Sequence, residues 1–155
     1  MGASLEAADL AAAYRGADVV LAPYRAEGFA LSPLEGAASG VPVIVTRGGA
    51  ADEFTDESFA AYIEADREAL KTGSWLVPRE GEVLRALERA CDDAAWREAA
   101  AVAGPAHVAK LAWHVIVQRY VTLARFAHES EGEDMAGDLW RNRPGVFTQE
   151  EYDEL

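Results

Sequence analysis

One cysteine, Cys91, leaves no partner for a disulfide within the chain, which suits a reducing compartment. In V-L-R-A-L-E-R-A-C it reads as a small apolar packing residue. Basic residues are scarce: 14 Lys and Arg face 27 Asp and Glu, for a net charge of −13. Binding to nucleic acid needs a basic face, so it is excluded as a partner. The histidines, His107, His114 and His128, stand too far apart for the i, i+4 pair of a helical zinc site, and no Cys or Asp pairs with them. No apolar run approaches the length of a transmembrane helix, and the start M-G-A-S-L-E lacks the basic and apolar parts of a signal peptide. The expected location is therefore the cytoplasm. No internal repeat is visible.

What is present is a chain of 155 residues that is 50% hydrophobic, enough for one globular domain with its own core. Its most legible stretch is Glu27 to Thr46, E-G-F-A-L-S-P-L-E-G-A-A-S-G-V-P-V-I-V-T. Ser32, Pro33 and Glu35 predict a helix start with a hydroxyl cap, a proline in the first position and a glutamate three residues after the cap. Gly40 and Val41-Pro42 end that helix. Val19-Val20-Leu21-Ala22-Pro23 before it and Pro42-Val43-Ile44-Val45-Thr46 after it are short apolar runs of strand type. Strand, loop, helix and strand make a βαβ unit. In an open parallel sheet ligands bind outside the carboxyl ends of the strands, where a helix start attracts anions. The loop from Tyr24 to Leu31 sits at that end. Gly28 lets a ligand approach the backbone, and the amides of Ala30, Leu31, Ser32 and Leu34 face the loop mouth. Glu27 and Glu35 flank the loop and would repel a bare phosphate. Carboxylates directed at sugar or ribose hydroxyls remove the conflict, since each such charge-assisted hydrogen bond contributes about 1.5–3 kcal/mol.

Elsewhere Ser4 caps a first helix through about Tyr14, ended by Gly16, with Tyr14 expected in core packing. Thr46-Arg47-Gly48-Gly49 opens a second Gly-rich loop, where Arg47 reads as a surface residue or a counter-charge for phosphate. Residues 54–74 read as a helical surface insertion, and Gly73-Ser74-Trp75-Leu76-Val77-Pro78 as a strand. Two helices follow, the first with Val83, Leu84, Leu87, Ala90 and Cys91 on one stripe, the second over Ala94 to Ala103 and stopped by Gly104-Pro105. A third helix runs from about His107 to Ala127, apolar on more than one side. The acidic remainder, 128–155, reads as a tail draped over the domain or a partner.

Glu27 and Glu35, separated by seven residues and followed by G-x-P-V-I-V-T and Gly48-Gly49, resemble the E-x7-E motif of retaining glycosyltransferases of the GT-B fold, the glycosyl transferases group 1. The similarity runs from about Ala13 to Asp56 and more loosely to Tyr120. It implies an α/β fold: a partial Rossmann-like parallel sheet of about three strands, near 19–23, 43–46 and 75–77, flanked by helices as in the C-terminal half of a GT-B fold. Residues 1–127 would be a nucleotide-sugar-binding domain. The resemblance implies Glu27 as the catalytic residue on the donor sugar and Glu35 on the ribose. It likewise implies Gly28, Phe29, Ala30, Leu31 and Ser32 as backbone contacts to sugar and pyrophosphate, with Gly48 and Gly49 lining the donor pocket. It implies a nucleoside-diphosphate sugar as donor substrate, with no cofactor and no metal. The insertion at 54–74 departs from the commonest family pattern. The implied partners are a missing N-terminal half or another chain holding the acceptor, and a second copy meeting the open sheet edge. The alternative is a subunit that binds nucleotide sugar or protein without chemistry.

Overall fold

The computed structural model describes residues 6–129; the expected tail, like the Ser4 cap, lies outside them. The chain divides after Lys110 into two compact units. In the first, helix α1 (Ala7–Arg15) leads to strand β1 (Val20–Ala22), helix α2 (Leu31–Ala38) and strand β2 (Val43–Thr46). A short 3-10 turn over Ala50–Glu53 precedes β3 (Ala60–Ile63), β4 (Ala65–Ala69) and β5 (Ser74–Pro78), and helices α3 (Glu80–Asp92) and α4 (Ala94–Val108) complete it.

β1, β2 and β3 form a three-stranded parallel sheet in that order, with Val20 beside Val43 and Val43 beside Ala60. The partial parallel sheet flanked by helices is thus the observed α/β architecture, but its third strand is β3. The expected strand at 75–77 belongs instead to an antiparallel hairpin of β4 and β5, in which Arg67 faces Leu76. Residues 54–74 accordingly hold strands where a helical insertion is expected. The reason is tertiary: Phe59, Ala60, Ala61 and Ile63 are buried beside β2, and pairing outweighs the helical leaning of Ala, Glu and Arg in β4. β2, the central strand, is fully buried along its length, as befits a parallel strand covered on both faces.

α2 is seated by two close approaches. A Cβ on Gly36 would lie 2.6 Å from Val20 Cγ2, and one on Gly104 would lie 2.9 Å from the Ala37 carbonyl oxygen. α2 therefore touches β1 on one side and α4 on the other. Gly104-Pro105 does not stop α4, contrary to expectation. Trp96, Ala100, Gly104 and Val108 recur every four residues and are all buried, and that continuous contact carries the helix past a proline that ordinarily breaks one. The expected third helix is accordingly divided. His107 and Val108 end α4, Ala109–Leu111 form a 3-10 turn, and α5 (Trp113–Glu129) belongs to the second unit. By length and composition alone the helical run Ala94–Phe126 is apolar enough to cross a membrane, where the sequence reading finds no such run. On α3, Ala86 and Ala90 are buried whereas Leu84 and Cys91 are exposed, so Cys91 is not the core residue expected.

The turn into β3 is braced against α4. Asp56 accepts from the Ser58 amide at 2.8 Å, and its other oxygen stands 2.9 Å from His107 Nδ1. The Ser58 hydroxyl and amide hold the Asp56 carboxyl below its ordinary range. Lys110 Nζ lies 2.9 Å from the second ring nitrogen of His107. A structural brace is where the structure places His107.

Candidate functional site

The loops that follow β1, β2 and β3 all emerge at the carboxyl ends of parallel strands, the side on which such sheets bind ligands. The loop after β1 enters α2 through Ala30, which is buried and holds φ 65° and ψ 58°. Left-handed backbone on a residue with a Cβ costs roughly 1–2 kcal/mol, and such strain gathers at functional sites. Ala30 is the N-cap and no side chain closes the helix start. Ser32 is therefore not the cap, and the expected capping box does not form. Pro33 falls in the third helical position, where its missing N–H is still one the helix would leave unpaired.

This arrangement frees Glu35. A carboxylate held on the Ser32 amide would have fewer lone pairs for a ligand; instead Glu35 Oε2 accepts from the Tyr14 hydroxyl at 3.0 Å. Tyr14 is half-buried and burial raises its pKa, opposed by the Ser32 hydroxyl and reinforced by Glu35, so it stays a donor. Tyr14 thus orients Glu35, a role beyond the core packing expected of it. At the other end of the loop Glu27 is exposed, and its Oε1 accepts from the Gly28 amide at 3.0 Å. A Cβ at Gly28 would meet nothing within 4 Å. Phe29 is 42% exposed, its ring 5.9 Å from that of buried Phe54. Leu31 and Ser32 are exposed on the first turn of α2.

The second loop is joined to the first by Tyr24. Its hydroxyl donates to the Thr46 carbonyl at 2.9 Å and accepts from the Ala51 amide at 3.4 Å. Its ring occupies the space beside Gly49, where a Cβ would come within 2.5 Å of Tyr24 Cε2. Gly49 is thus required by the ring, and Gly48 by its φ of +89°. The Gly48 amide donates to Asp52 Oδ2 at 2.7 Å, so it is committed within the protein. Burial raises the pKa of Tyr24, and the Ala51 amide works against that.

The cations here are mostly paired. Arg47 contacts Glu64 at 2.8 Å and Glu57 at 3.7 Å and lies 3.8 Å over the Tyr62 ring. Arg25 contacts Glu68 at 2.8 Å and lies 4.3 Å over Trp75. Arg67 reaches the Gly48 carbonyl at 3.2 Å. Tyr24, Arg25 and Arg67 are the contributors that sequence reasoning misses. Tyr24-Arg25 directly after a strand end is a visible signal; Arg67 is hidden in what reads as a helix.

The class so defined is an α/β domain with a partial Rossmann-like parallel sheet whose loops gather at the strands' carboxyl ends. The chain belongs to the family described as glycosyl transferases group 1, which residues 1–93 match. It is 55% identical over 56 residues to the lipopolysaccharide core biosynthesis mannosyltransferase of Rhizobium meliloti (strain 1021), an alignment covering 34% of this chain and 16% of that protein. Its fold is similar to part of the sucrose-phosphate synthase of Thermosynechococcus elongatus, with a TM-score of 0.66 and 23% identity over 83% of this chain and 30% of the synthase. The chain therefore spans less than a third of either protein.

Proposed function

We propose that this chain is the donor-binding part of a glycosyltransferase that takes a nucleoside-diphosphate sugar and passes the sugar, with retention, to an acceptor. The observation that carries this reading is the uncapped start of α2 between Glu27 and Glu35. Helix-start amides suit the diphosphate, while Glu27 would orient the sugar through its hydroxyls and Glu35, positioned by Tyr14, would accept from the ribose. Phe29 flanks the sugar, and the Gly48-Gly49 loop forms the far wall. Catalysis in this reading is positioning of the donor and stabilisation of the leaving diphosphate by amides and a cation, with no cofactor and no metal held by the chain. The acceptor is held by a part of the enzyme outside these residues, which acts in the cytoplasm.

Calorimetric titration separates the roles of the two glutamates. Glu27→Gln is expected to weaken binding of the nucleotide sugar tenfold or more while leaving the free nucleoside diphosphate within about twofold. Equal affinity of wild type and variant for the sugar conjugate would remove Glu27 from the donor sugar.

A further inference from the structure

Charge is unevenly spread along the chain. No Asp or Glu stands between Glu98 and Glu129, although the chain holds 27 of them, and this stretch carries Lys110, Arg119, Arg125 and every histidine. Helix α5 begins inside that stretch and runs to its end. Each residue of a helix turns by about 100°, which sets Val117, Tyr120, Val121 and Leu123 within roughly 80° of Trp113. All five are exposed, Trp113 at 83% and Tyr120 at 69%. Arg119 and Arg125 stand about 120° from Trp113, one to each side. Both are exposed, and neither meets a carboxylate among the described residues. Gln118 and Thr122 lie on the far side with half-buried Val115. In a chain of net charge −13, α5 is thus an apolar face rimmed by cations. A basic amphipathic helix with Trp and Tyr on its apolar face has the make-up of one that lies in a membrane interface.

We propose that α5 lies along the surface of an anionic bilayer, with Trp113 and Tyr120 at the headgroup level and Arg119 and Arg125 on lipid phosphates. Charge selects this occupant. The acidic remainder of the chain is repelled by an anionic surface, so the acid-free face is the one that can approach it. Each arginine near such a surface adds attraction, and its planar fork suits phosphate oxygens. The indole N–H and the phenol hydroxyl give the two rings a polar edge for the headgroups. A second copy of the chain would set the same arginines rim to rim, with no acid on either face to meet them. Lying rather than spanning follows from the same residues. The 17 residues of α5 reach about 25 Å, short of a hydrocarbon core of about 30 Å, and a spanning helix would bring Arg119 near its middle, a costly place for a charge. α4 cannot lengthen the span, because Trp96, Ala100, Gly104 and Val108 are buried in the first unit.

The test is flotation of the full chain with vesicles of phosphatidylcholine, alone and with phosphatidylglycerol mixed in, at low and high salt. Wild type is compared with the double variants Arg119→Gln/Arg125→Gln and Trp113→Ser/Tyr120→Ser, and with Val102→Ser, which removes an exposed apolar side chain from α4. Circular dichroism shows that each is folded. Wild type is expected to float with the anionic vesicles and to lose partition as salt rises. The arginine variant is expected to lose tenfold or more on anionic vesicles. The aromatic variant is expected to lose on both kinds of vesicle, and Val102→Ser to stay within about twofold of wild type. A wild-type chain that does not float with anionic vesicles overturns the proposal. Flotation unchanged in both double variants overturns it too, since the bilayer is then met by another surface. A wild-type dimer that ignores vesicles and falls apart in Trp113→Ser/Tyr120→Ser, read by sedimentation velocity, would give the face to a second copy and overturn it as well.

Discussion

Gly104→Val is expected to lower the melting midpoint of the chain by about 5 °C or more. At most helical positions replacing glycine helps, by about 1 kcal/mol for alanine. Gly104 is different because an added Cβ would lie 2.9 Å from the Ala37 carbonyl oxygen, and backbone cannot step aside as a side chain can. Overpacking of this kind costs about 1–3 kcal/mol, occasionally more, and each kcal/mol is worth about 2–4 °C in a chain of this size. Valine adds two methyl groups to the same contact. α2 cannot yield towards the sheet, since Gly36 already lies against Val20. Gly81→Ala is the control: nothing stands within 4 Å of its added Cβ, and its midpoint is expected to stay or rise slightly. Thermal unfolding followed by circular dichroism checks both, and a Gly104→Val chain melting with wild type would refute the α2–α4 seat. Glu35 sits directly before Gly36 and Ala37, so the residues that fix α2 also fix the candidate site.

Ile44→Ala is expected to cost about 2–5 kcal/mol, from lost apolar burial plus the cavity left behind. Ile44 is 0% exposed and lies between Leu21 of β1 and Ala61 of β3. Neither neighbour is placed to fill the gap: Ala61 offers one methyl group, and Leu21 is 40% exposed on the edge strand β1. Total stabilities of about 5–15 kcal/mol make this a large fraction. Ile44→Val should cost only about 0.5–1.5 kcal/mol. Urea denaturation gives both values, and an alanine variant with an unshifted midpoint would show that β2 is not the centre of the core.

The βαβ unit was legible because every local signal agreed there. β2 is an unbroken β-branched run, and Gly40 takes the left-handed φ of +78° that a helix end asks for. Where sequence and structure part, long-range contacts decide. Ser32 carries every mark of an N-cap, yet the buried left-handed turn at Ala30 starts the helix earlier and hands Glu35 to Tyr14. No local pattern encodes that exchange, since Tyr14 and Glu35 are 21 residues apart. β3 opens on two alanines and β4 reads Ala-Asp-Arg-Glu-Ala, and pairing with β2 and β5 makes them strands. α4 passes through Gly104-Pro105 because α2 needs the glycine. For the site, the two glutamates and the glycine loop are named by the family resemblance of the E-x7-E stretch, and their spacing alone names no ligand. The hairpin that presents Arg67 could not be read, because its strands hide in a charged segment.

The central claim is that the start of α2, with Glu27 before it and Glu35 within it, holds a nucleoside-diphosphate sugar. The most direct measurement is calorimetric titration of the chain and its Glu35→Gln variant with UDP, GDP and their sugar conjugates, with thermal unfolding confirming that the variant is folded. The account predicts that one nucleotide binds and that its affinity falls tenfold or more in the variant, which corresponds to about 1.4 kcal/mol. Identical affinities in a folded variant, or no binding by wild type at millimolar ligand, would contradict it.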